Sequence, residues 1–124
     1  MKKILIVDDS AFMRGIIKDI LSEDKSIEAE LFEAVSKITA LDQVEKIRPN
    51  LVLLDIVMYG NEFEGVETLS SIKENHPEIE VIMLSSIGQV EVIEQCRKLG
   101  ARDFIQKPFD RNEVLKAVID CLEN

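Results

Sequence analysis

Leu51-Val52-Leu53-Leu54-Asp55 is the stretch on which the fold turns. Four apolar residues with no polar interruption read as a short strand buried on both faces, as interior strands of a parallel sheet are. Asp55 emerges where that strand ends. Ligands of open parallel sheets bind beyond the carboxyl ends of the strands, so a carboxylate there reads as chemistry rather than packing.

Upstream, residues 4–7 form a second unbroken apolar run that ends in Asp8-Asp9-Ser10, and Ser10 is placed to cap the next helix. Met13, Ile16, Ile17, Ile20 and Leu21 keep three-four spacing and predict a helix over 11–23. Ile27, Ala29 and Leu31 alternate with Glu28 and Glu30, which predicts a half-exposed edge strand over 27–31. Ser36 opens a second helix that Pro49 closes.

Downstream, 57–65 reads as a loop containing Gly60, Asn61 and Gly65. A third helix then carries Val66, Leu69 and Ile72 as far as Pro77. Residues 81–84 form a fourth strand that ends in Ser85-Ser86. The fourth helix, with Val92, Ile93, Cys96 and Leu99 on one face, stops at Gly100. Residues 102–106 are a short edge strand leading into Lys107-Pro108, and the last helix buries Val114, Leu115, Val118, Cys121 and Leu122.

At 124 residues the chain suits a single domain over 1–124. Aromatic residues make up 5% and the net charge is -9, which argues against a nucleic-acid surface. No apolar run approaches a membrane span, and Lys2-Lys3 precede a run too short for a signal peptide, so a cytoplasmic protein is expected. Cys96 and Cys121 fall in helices and read as buried small apolar residues. His76, in Asn75-His76-Pro77, reads as a solvated loop residue.

Strands alternating with helices make a doubly wound α/β sandwich. The three most apolar strands take the interior and the second and fifth the edges, giving the order 2-1-3-4-5. In that order the winding reverses between strands one and three, so Asp8, Asp9 and Asp55 converge on the topological crevice. Two carboxylates about 4 Å apart repel by roughly 4 kcal/mol at an effective dielectric of 20, so three of them call for a proton or a cation. An all-oxygen donor set favours Mg²⁺. Ser85 and Lys107 reach the same rim and complete a phosphoryl site. No Walker loop, dinucleotide fingerprint or Ser-His-Asp set is present; an aspartate can itself be the nucleophile, and Asp55, the deepest of the three, is the best candidate.

Val7-Asp8-Asp9-Ser10, Asp55 with Met58, Ser85-Ser86, Gly100-Ala101 and Phe104-Ile105-Gln106-Lys107-Pro108-Phe109 together resemble the receiver domain of two-component response regulators. The stand-alone CheY-like chemotaxis regulators are the nearest kind, and the resemblance spans the whole chain. It implies that Asp55 accepts a phosphoryl group from the phosphohistidine of a CheA-like histidine kinase. It further implies that Asp9, Asp55 and the Val57 carbonyl hold Mg²⁺, with Asp8 acting through water. Lys107, Ser85 and Ser86 would contact phosphoryl oxygens, and Lys107-Pro108 would be cis. Ser85 and Phe104 would be the switch, changing the face of helix four, strand five and helix five that binds a flagellar-switch-like or other output protein. A phosphatase partner, a monomeric state and no enzymatic turnover beyond its own phosphorylation and dephosphorylation are implied as well.

The loop after Asp55 departs from that pattern. The family has Met-Pro and a glycine eight positions past the aspartate, whereas here Tyr59 replaces the proline and Gly65 comes two residues late. Val57 and Ile87 are apolar where relatives tune hydrolysis, so slow self-dephosphorylation is expected. Other functions stay open at this stage. One is a receiver cut from a longer regulator with DNA-binding or enzymatic output. Another is a small Mg²⁺-dependent phosphatase with Asp55 as nucleophile, although its length leaves no room for a substrate cap. A flavin carrier on the same topology lacks the hydroxyl- and glycine-rich phosphate loop.

Overall fold

The computed structural model describes residues 1–86 and 88–123, over which strands and helices alternate from end to end. The strands are β1 (Lys2–Val7), β2 (Ala29–Ala34), β3 (Leu51–Asp55), β4 (Glu80–Ser85) and β5 (Asp103–Gln106). The helices are α1 (Ala11–Glu23), α2 (Lys37–Ile47), α3 (Glu64–Asn75), α4 (Val90–Lys98) and α5 (Arg111–Glu123). All strand pairs are parallel, in the order β2-β1-β3-β4-β5, so the doubly wound sandwich is the architecture.

Side chains alternate along a strand, and here both faces are covered, which is why the central strands are continuously apolar. Leu5, Val7, Val52, Leu54, Val81 and Met83 point to one layer, where Val44, Leu69, Ile72 and Cys96 of α2, α3 and α4 meet them. Ile4, Ile6, Leu51, Leu53, Ile82 and Leu84 point to the other, against Ile17, Leu21, Val114 and Val118 of α1 and α5. Each such side chain, fully buried, contributes about 1.5–3 kcal/mol. Cys96 and Cys121 are buried free thiols, as their helical apolar positions predict. No described helix is long and apolar enough to cross a membrane.

Helix ends follow the polar residues that flank them. Ser10 Oγ accepts from the Met13 amide at 3.2 Å, and Ser36 with Thr39 forms a reciprocal cap on α2.

Two expectations need correction. The second strand runs Ala29–Ala34 rather than 27–31, with Lys2 opposite Ala29 and Val7 opposite Ala34. Phe32 breaks the alternation that defined the shorter strand. The sheet is covered on both sides there, however: Leu31 packs in one layer and Phe32 and Ala34 in the other, so pairing with β1 continues to the carboxyl edge. His76 is buried rather than solvated, because α3 packs beside α2 and brings its own exit against Glu45. Its Nε2 lies 2.7 Å from Glu45 Oε1. That bond holds the Glu45 carboxyl below the usual range.

Candidate phosphoryl site

Strand register alone gathers the acidic residues. Val7 pairs with Leu54 and Asp55 with Leu84, so Asp8, the residue after Val7, leaves the sheet beside Asp55. Ser85 pairs with Gln106, and the Lys107 amide donates to the Ser85 carbonyl at 2.7 Å, which sets Lys107 one step beyond the same edge. The Lys107-Pro108 peptide is cis, in line with the resemblance.

Asp8, Asp9 and Asp55 each offer a carboxylate oxygen, and these atoms lie within 4.8 Å of one another. Asp8 is 0% exposed and Asp55 5%. Lys107 Nζ sits between them, 3.1 Å from Asp8 Oδ2 and 3.0 Å from Asp55 Oδ2. One ammonium against three carboxylates leaves the cluster net negative in a poorly solvated place. Burial, and then the Asp8 carboxylate, push the Asp55 carboxyl up to about 6, although Lys107 and the Val57 amide pull the other way. Burial alone would lower Lys107; the Asp55 and Asp8 carboxylates outweigh it and hold the ammonium above the usual lysine range. An all-oxygen cluster short of two positive charges is a donor set that fits Mg²⁺.

The remaining predicted residues sit around this centre at different distances. The Val57 amide donates to Asp55 Oδ1 at 3.3 Å. Ser85 is buried at the end of β4 and lines a groove of about 510 Å³ with Phe104, Ile93, Arg97 and Lys116. Among the described residues no hydrogen bond joins Ser85 or Ser86 to the acidic cluster; the Ser86 amide bonds Gln89 Oε1 at 2.6 Å. Phe104 is half-buried on β5 with the Arg97 guanidinium 4.9 Å above its ring. Ile87, invoked above for slow dephosphorylation, lies outside the described residues.

Two contacts escaped the sequence reading. Arg14 Nη1 donates to the Asp8 carbonyl at 2.7 Å, and Nε pairs with Glu33 at 2.9 Å, tying α1 and β2 to the site. Arg14 and Lys18, four residues apart and so on one face of α1, both pair with Glu33, and that basic pair was the available signal. The second is the Tyr59 amide, which donates to Asp9 Oδ2 at 2.9 Å. The late glycine is also explained: a Cβ on Gly65 would lie 2.2 Å from the Asp55 carbonyl oxygen and 2.4 Å from that of Ile56, so α3 can start against the end of β3 only with glycine there.

Comparison with known proteins agrees with this geometry. Residues 4–119 match the response regulator receiver domain. The chain is 41% identical over 118 residues to the chemotaxis protein CheY of Listeria monocytogenes, covering 95% of this chain and 96% of that one. It is 39% identical over 120 residues to the nitrogen assimilation regulatory protein NtrX of Azorhizobium caulinodans, covering 97% of this chain and 26% of the relative. The receiver domain of NtrX from Brucella abortus superposes with a TM-score of 0.87 at 35% identity, covering 98% of each chain. The chain belongs to the response regulator receiver domain family, whose members act as phosphoacceptors in two-component signalling, between histidine kinases and output proteins.

Proposed function

We propose that residues 1–124 work as one receiver unit in which Asp55 takes a phosphoryl group from a kinase phosphohistidine. The observation that carries this reading is Lys107 Nζ held within 3.1 Å of both Asp8 and Asp55 at the edge of the central strand. The Asp55 carboxylate forms the new P–O bond as the P–N bond to the donor imidazole breaks, and the acyl phosphate remains on the chain. Lys107, freed from one carboxylate, pairs with a phosphoryl oxygen. Ser85 donates its hydroxyl to another, with the Ser86 amide beside it.

Asp9 and Asp55 through their side chains, and Val57 through its carbonyl, would hold Mg²⁺, with Asp8 acting through water. When bound, the ion neutralises the charge that gathers on the transferring group. Movement of Ser85 out of the groove it shares with Phe104 leaves room for the ring to turn inward, away from Arg97. The α4, β5 and α5 face thereby changes shape for an output protein. The full-length match to CheY supports a motility role with a CheA-like kinase, a flagellar-switch-like target and a phosphatase as partners. On this reading the chain turns over no external substrate.

The test is intact mass after incubation with acetyl phosphate, with and without Mg²⁺. Wild type gains one phosphoryl group only with the ion, and Asp55→Asn gains none. An adduct that survives in Asp55→Asn removes the assignment.

A further inference from the structure

The segment between Met58 and Gly65 is a closed turn rather than a slack insertion. The Met58 amide donates to the Asn61 carbonyl at 3.3 Å and the Asn61 amide returns to the Met58 carbonyl at 3.0 Å. Tyr59 and Gly60 between them have φ of 55° and 71°, the pair of positive values that a two-residue hairpin turn requires. Glycine accepts such a conformation readily; tyrosine does so only when its surroundings impose it. Met58 is fully buried at one end, and at the other the Gly65 amide is bonded to the Ile56 carbonyl at 3.0 Å. The turn is therefore anchored on both sides, and it aims the Tyr59 N–H at Asp9 Oδ2.

Asp9 needs such an anchor more than its neighbours do. Lys107 bridges Asp8 and Asp55, and the Ser10 amide donates to Asp8 Oδ1 at 2.9 Å. Asp9 is the one carboxylate of the three that is not buried, and repulsion from the other two favours its turning outward. A proline at position 59 would carry no N–H and a fixed negative φ, so it could supply neither the donor nor the turn.

We infer that the backbone amide of Tyr59 is a positioning group that holds Asp9 in place as a cation ligand. A carboxylate accepts about four hydrogen bonds or metal contacts, so one bond to Tyr59 leaves the rest free for an ion. The inference rests on the reading of the acidic cluster as the Mg²⁺ site.

The test replaces the Tyr59 amide by an ester, through the α-hydroxy analogue of tyrosine, and titrates Mg²⁺ by calorimetry. Removal of the N–H with the side chain and φ retained weakens binding about 3- to 10-fold. Tyr59→Asn, which keeps the amide and suits a left-handed backbone, retains the wild-type constant. An unchanged constant in the ester overturns the inference and leaves the site reading intact; equal weakening in Tyr59→Asn, which still has the N–H, assigns the effect to disturbance of the turn and also overturns it. No Mg²⁺ binding by wild type overturns the site reading and this inference together. A second measurement needs no ester: exchange of the Tyr59 amide hydrogen is slow in wild type and accelerates in Asp9→Ala, and equal rates in the two contradict the contact.

Discussion

The two edges of the sheet carry charge in opposite ways. At the amino edge polar groups are matched and wet. The Lys3 amide donates to Asn50 Oδ1 at 2.8 Å, the Asn50 amide returns to the Lys3 carbonyl at 2.9 Å, and Arg102 pairs with Glu80 at 2.6 Å with both side chains about a third exposed, 32% and 33%. At the carboxyl edge three carboxylates gather near one ammonium, which pairs with Asp8 and Asp55, the two that are buried. Matched, solvated charge ties strands together at little energetic consequence. Mismatched, buried charge weakens the fold, and on the proposed reading a cation and a phosphoryl group would complete it.

The contrast breaks first at Gly65. Gly65→Ala sets a methyl against the backbone of Asp55 and Ile56, which cannot yield as a flexible side chain can. A loss of about 3 kcal/mol or more in denaturant unfolding is expected. A loss under about 1 kcal/mol would mean that the wall of the site is soft.

Next in size is the energetic strain of the acidic cluster. The Asp55 carboxyl is raised from 3.8 to about 6 in the fold, so the folded state binds its proton more tightly than the unfolded chain does. That contribution is complete below about pH 4 and is lost as pH rises through about 6. With Mg²⁺ chelated, Asp55→Asn is therefore more stable than wild type by about 2 kcal/mol at pH 7.5, and the difference shrinks towards pH 4. Urea unfolding across that range checks it. A variant no more stable than wild type at pH 7.5 would show that Lys107 already balances the site.

The matched edge yields smaller numbers. Arg102→Met lowers stability by at most about 1 kcal/mol, because its ion pair is partly solvated, and leaves the Mg²⁺-dependent phosphoryl adduct unchanged. Smallest is Gly15→Ala in α1, where a Cβ meets nothing within 4 Å. Thermal unfolding there shows a gain of about 0.5–1 kcal/mol from helix propensity alone.

The sequence was read most accurately where one physical demand dominates. The unbroken runs before Asp8, Asp55 and Ser85 are explained only by strands buried on both sides, and three such strands fix the interior of the sheet and the residues beyond it. It was read less well where tertiary contact decides. Phe32 looked like the end of an alternating strand, because alternation assumes one wet face that β2 lacks. His76 looked solvated, because its partner Glu45 lies on another helix. Tyr59 was recognised as a departure from the family, but a backbone donor leaves no trace in side-chain type, so its contact with Asp9 emerged only with the turn geometry.

On the proposed reading the mismatched edge places one nucleophile, Asp55. Reductive trapping reads that assignment residue by residue: borohydride converts an aspartyl phosphate to homoserine, which peptide mass spectrometry then locates. After treatment with acetyl phosphate and Mg²⁺, homoserine is expected at position 55 and at neither Asp8 nor Asp9. Homoserine at position 8 or 9, or at no carboxylate in protein that has gained a phosphoryl mass, would contradict the account.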